Sequence, residues 1–196
     1  MDIRELNRQA VLASVEAVGR VDDDLGRATP CEGWVLADLL AHMTAQHRGF
    51  AAAARGHGGD LHAWEVRPLG ADPAGEYAVA AQDVLDAFTR SGVLERKFVL
   101  PELGATIPGA TAIGFHFIDY VVHTWDVARS LGDRFDLAPE LAGPALEIAR
   151  AVPDDSSRSK PGAAFGPSVS PARQDAALDE ILALLGRSPA WPDRDR

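Results

Sequence analysis

Four ionisable residues, His116, Asp119, His123 and Asp126, recur at intervals of three or four along FHFIDYVVHTWDVARSLG, residues 115–132. Around them stand Phe115, Phe117, Ile118, Tyr120, Val121, Val122, Trp125 and Val127, which mark a buried helix. At about 100° per residue, the four polar groups fall within a band of roughly 80° on one face. An unpaired charge in a core is costly, so this stripe needs partners. One arrangement is a hydrogen-bonded core network in which Asp126 pairs with Arg129 at i, i+3. The other is a metal site, because Asp119 and His123 at i, i+4 project side by side, as carboxylate and imidazole donors do in helical bundles.

A third donor has to come from another helix. In WVLADLLAHMTAQH, His42 sits at the edge of an apolar stripe formed with Val35 and Leu39. His47, five residues on, is its rival. His57 and His62 lie in a Gly-rich stretch and read as exposed.

The elements that must carry these groups follow from apolar spacing and breakers. Helices are expected at about 2–24, 35–55, 76–92, 111–131 and 139–151. GRATPCEGW breaks the chain between the first two, and Gly132 caps the fourth. KFVLPELGATIPG reads as extended, with turn signals suited to a small hairpin. Residues 153–171 read as loop and 172–186 as a last helix ending at Gly186. The expectation is one all-α domain over residues 1–196, a four-helix bundle with short additional helices and a small β-hairpin.

Composition narrows the function classes. A net charge of -10 opposes nucleic acid or anionic membrane as the main partner. No apolar run approaches the ~20 residues of a membrane span, and no signal-peptide pattern opens the chain. A cytoplasmic protein is expected. The single cysteine, Cys31, excludes an internal disulfide and a cysteine-cluster zinc site, and reads as a small buried residue. Trp34 and Trp125 read as wedges at helix ends in the core.

Three motifs in order, TPCEGW (Thr29–Trp34), DLLAH (Asp38–His42) and DYVVHTWDVAR (Asp119–Arg129), resemble the DinB-like metal-binding four-helix family. The similarity is to its branch containing the metal-binding domain of mycothiol-dependent maleylpyruvate isomerase, and the ending LLGRSPAW extends it. The resemblance implies a DinB-like bundle and the metal ligands His42, Asp119 and His123. It also implies one divalent metal, zinc or nickel, and a mycothiol-type thiol as cosubstrate beside a small-molecule substrate. A homodimer is compatible with it. His116 lies outside the pattern and admits two readings, a group facing substrate or ligands, or a core hydrogen bond. Asp126 and Arg129 read as groups orienting a ligand or each other.

Two imidazoles and one carboxylate leave a divalent ion with net positive charge and an open position. Three functions remain open: a thiol S-transferase or isomerase, a metal-binding stress protein without turnover, and a metal-dependent hydrolase. No catalytic residue is assigned, and the pattern's overlap with non-haem iron oxygenases ranks lower.

Overall fold

The computed structural model describes residues 1–160, 163–171 and 176–192. Its helices are α1 (Ile3–Val18), α2 (Leu36–Ala54), α3 (Pro73–Phe88), α4 (Gly109–Leu131), α5 (Pro139–Ala151) and α6 (Ala177–Leu184). The strands β1 (Lys97–Leu100) and β2 (Ala105–Pro108) form an antiparallel hairpin with Phe98 opposite Ile107. In the bundle, α1 packs along α4 and α2 along α3, while α2 also meets α4 and α5 meets α6. The expected all-α bundle and hairpin are both present. The first helix ends earlier than its apolar spacing suggested, at Val18. Residues 172–175 of the expected last helix lie outside the described residues.

Local chemistry sets the ends of these elements. Asp2 caps α1 by accepting from the Arg4 amide at 2.9 Å, and Asp72 caps α3 by accepting from Gly75 at 3.0 Å. At α2 the capping position is Val35, which has no polar side chain. There Asp38 reaches back and accepts from the Val35 amide at 3.1 Å, so only half of a capping box forms. Helix α4 stops at Gly132, whose φ of 80° turns the chain away.

The TPCEGW stretch is a closed turn rather than a loose linker. The Thr29 hydroxyl accepts from the Cys31 amide at 3.1 Å and donates to the Trp34 carbonyl at 3.0 Å. Gly33 supplies the required φ of 77°. This turn fixes where Cys31 and Trp34 stand relative to α2. Trp34 is not the core wedge expected of it: it is 36% exposed, because the turn carries it out over the start of α2.

Helix α4 is the spine. Phe117, Ile118, Tyr120, Val121, Val122 and Val127 are all buried. At its lower half, His116 donates through Nδ1 to Asn7 Oδ1 at 2.7 Å, so its Nε2 must accept from His47 Nδ1 at 3.2 Å. The His47 ring stacks on Tyr120 with centroids 4.1 Å apart. Burial holds both imidazoles neutral, His116 down to about 3 and His47 well below its ordinary value.

The unfolded chain therefore binds protons at these two positions that the fold cannot. Stability should fall as pH drops from 6.5 toward about 3. Urea unfolding at several pH values checks this. His116→Ala is expected to cost about 3–5 kcal/mol at neutral pH, from cavity and orphaned partners together. It should also reduce the acid slope.

Candidate metal centre

Three donors from two helices come together within the bundle. His42 stands on α2; Asp119 and His123 stand one turn apart on α4. One ligand atom from each lies within 4.8 Å of the others. Asp119 Oδ1 is 3.4 Å from His123 Nε2, and the His42 and His123 rings are 5.5 Å apart at 74°. Trp34 closes one side, its ring edge-on to His42 at 5.0 Å. His47, the rival donor, lies in the separate core network with His116. Neither residue hydrogen-bonds to the donor cluster.

Behind His123 is a buried ionic cluster. Its Nδ1 is 2.9 Å from Asp126 Oδ2, which leaves Nε2 directed toward Asp119. Asp126 is fully buried and also receives Arg187 Nη2 at 3.3 Å and the Cys31 thiol at 3.3 Å. Arg187 reaches it because Gly186, two residues past the end of α6, turns the chain with φ 78°, and the Arg187 amide bonds back to the Leu182 carbonyl at 2.8 Å. Arg129, the expected partner of Asp126, donates instead to the Trp191 carbonyl at 3.1 and 2.6 Å. It secures the C-terminal segment on α4. Cys31 is half-buried against Asp126 and Arg187, and so differs from the inert core cysteine its sequence neighbours suggested.

Sequence reasoning missed Arg187 as the counter-ion because its pairing spans 61 residues. The only available signal was its place in the LLGRSPAW ending. Gln46 was missed as well. It lies one turn after His42, and its amide donates to Glu102 Oε1 at 2.8 Å, bringing the hairpin to the rim of the site.

Electrostatics divides the two imidazoles. Burial lowers His42 to about 4, with His123 reinforcing the shift, so it is a neutral donor. Burial also disfavours charge on His123, but Asp119 and the Asp126 hydrogen bond outweigh it and raise it to about 10. Asp126 pays for burial too, yet Arg187 and His123 hold it below the usual carboxylate range. At neutral pH His123 therefore holds its second proton while His42 does not.

The donor set fits a divalent cation of the zinc type: two nitrogens, one oxygen, and a carboxylate behind one imidazole. A second group of Cys31, His123 and Asp126 also converges. There the Arg187 guanidinium already supplies the positive charge, touching both Cys31 and Asp126.

Fold and site thus define a helical bundle with a histidine–carboxylate cluster set between two of its helices. A family model for the mycothiol maleylpyruvate isomerase N-terminal domain matches residues 6–128. The chain belongs to that family. Uncharacterized proteins from two Mycobacterium tuberculosis strains are each 32% identical over 184 residues, covering 91% of both chains. A crystal structure of a mycothiol-dependent maleylpyruvate isomerase, a histidine-to-alanine mutant, aligns with a TM-score of 0.58 at 15% identity. The alignment covers 75% of this chain and 68% of that one, and shows the DinB-like fold. No helix among the described residues is long and apolar enough to cross a membrane.

The proton on His123 has two measurable consequences. His123 is raised in the fold, so its stabilising contribution is complete below an ordinary imidazole value of 6.5 and is lost as pH rises through about 10. Chelator-treated protein should therefore lose thermal stability over that range, and His123→Gln should flatten the loss. Metal uptake at neutral pH should also release a proton, seen by calorimetry in buffers of different ionisation enthalpy.

Proposed function

We propose that this protein is a mononuclear metalloenzyme of the thiol-dependent transferase or isomerase type. His42, Asp119 and His123 would hold one divalent ion, zinc or nickel, and a mycothiol-type thiol would be the cosubstrate. The observation that carries this reading is the convergence of three donors from α2 and α4, with the far nitrogen of His123 held by a buried carboxylate. Family membership and the mycothiol-dependent structural neighbour support it.

When bound, the ion would supply a Lewis-acidic centre that favours the thiolate form of a thiol and polarises an electrophile. The chain's own residues do the rest. His42 presents an unprotonated nitrogen at neutral pH. Asp126 fixes the His123 ring so that Nε2 faces the other donors, and Arg187 compensates the Asp126 charge. Trp34 screens one side of His42 from water. The sole cysteine is engaged by Asp126 and Arg187, so the attacking sulfur comes from a second molecule.

Purified protein should carry close to one transition metal per chain by elemental analysis, and His123→Ala should lose it. Asp126→Asn should keep the ligands but weaken metal affinity by about 10–100-fold. On cobalt-loaded protein, mycothiol should produce sulfur-to-cobalt charge-transfer absorption. The band should be absent in His123→Ala and retained in Cys31→Ser. If mycothiol leaves the cobalt spectrum unchanged, the thiol-dependent reading fails.

A further inference from the structure

A cavity of about 230 Å³ lies on the flank of α2, and none of the three candidate metal ligands lines it. One wall is a single face of α2, carrying Ala41, Thr44 and Arg48 at i, i+3 and i+7. The facing wall includes Arg67 and Gly70 from the segment before α3, and Glu76 from the first turn of α3. Ala41 immediately precedes His42, so the cavity opens on the face of α2 adjoining the one that bears this donor.

The charges in this cavity do not cancel. Arg48 is half-buried and has no ion pair among the described residues. Arg67 meets Glu65 through Nε at 3.5 Å and donates one Nη2 hydrogen to the His62 carbonyl at 3.3 Å, with the side chains of Arg67 and Glu65 more than half exposed, so among the described residues its Nη1 stays free for a ligand. Against these two guanidinium groups the cavity sets one carboxylate, Glu76. It lies against Gly70 so closely that a Cβ there would meet its Oε1 at 1.9 Å. Thr44 donates its hydroxyl proton to the Leu40 carbonyl at 2.7 Å, which leaves the oxygen lone pairs as acceptors.

In a chain of net charge -10, a half-buried arginine without a carboxylate partner retains its capacity for an anion. Its planar fork suits a carboxylate better than a spherical ion. The volume falls below the ~300–1,000 Å³ of drug-sized sites, so the ligand group is small. Glu76 opposes a second negative charge, and together with Thr44 it offers acceptors to a donor.

We propose that this cavity is a binding subsite for a small carboxylate monoanion bearing a neighbouring hydroxyl or ammonium group. Arg48 and Arg67 take the carboxylate; Glu76 and Thr44 take the donor. Beside the proposed metal centre, the subsite would anchor a carboxylic-acid substrate one helix face from His42. Binding itself does not depend on the metal reading.

Titration of isotopically labelled full-length protein with lactate, alanine and propionate, followed by amide chemical shifts, tests this. Lactate or alanine should bind about tenfold more tightly than propionate, which lacks the second group. The comparison of lactate with alanine tells hydroxyl from ammonium. Arg48→Ala should weaken binding by about tenfold or more, and Arg48→Lys should recover part of it. Glu76→Gln should abolish the preference over propionate. Chelator-treated protein should bind all three acids with unchanged affinities, so failure of the metal centre and failure of the subsite are distinguishable. Equal binding of the three acids, or binding that survives loss of both arginines, would overturn the proposal.

Discussion

Asp126 has no exposed surface, and its carboxylate is nonetheless held in the charged form. A buried anion is tolerable only where partners return what desolvation takes away. Here one local and two distant partners meet that demand: His123 from its own helix, Arg187 from beyond α6, and Cys31 from the turn before α2. Much of the surrounding architecture is arranged around this convergence. Gly186 turns the chain so that Arg187 points inward, Thr29 and Gly33 close the turn that places Cys31, and Arg129 ties down the final segment at Trp191. Removing a single partner would leave the others as uncompensated buried groups.

The same helix carries two polar systems with opposite logic. At the level of His116, neutral rings pass hydrogen bonds in one direction, from His47 through His116 to Asn7, with no charge to solvate. One to two turns further on, His123 lies between Asp119 and Asp126, and charge is retained because charge is compensated. The first system stiffens the packing of α1, α2 and α4. The second holds one imidazole nitrogen toward the side where His42 and Asp119 also present donors. A continuous stripe in sequence is thus a structural network at one end and a candidate reactive centre at the other.

Much of this was legible in the sequence. Helix periodicity, the breakers around TPCEGW and the C-terminal glycine of α4 lead to the α-helices found among the described residues, in their order. The three-or-four spacing places Asp119, His123 and Asp126 on one face. What spacing cannot convey is which distant group answers a buried charge. Arg129 was the local candidate for Asp126, and at i+3 it was the reasonable one. The helix instead sends it to Trp191 and leaves Asp126 to Arg187, whose position depends on how α6 ends. Trp34 misleads for a related reason: an indole beside an apolar run suggests core, but a turn with a left-handed glycine carries it outward. The exposure of Cys31 to Asp126 and Arg187 and the Gln46–Glu102 contact are tertiary facts with no short-range signature.

In the proposed centre His42, Asp119 and His123, and no sulfur from the chain, would form the inner coordination of one divalent ion. X-ray absorption at the metal edge of the zinc-loaded protein, without added thiol, reads that shell. The expected shell holds nitrogen and oxygen only, at about 2.0–2.2 Å, with multiple scattering from two imidazoles. A sulfur scatterer at about 2.3 Å that disappears in Cys31→Ser would contradict it, and would move the ion to the Cys31, His123 and Asp126 group instead.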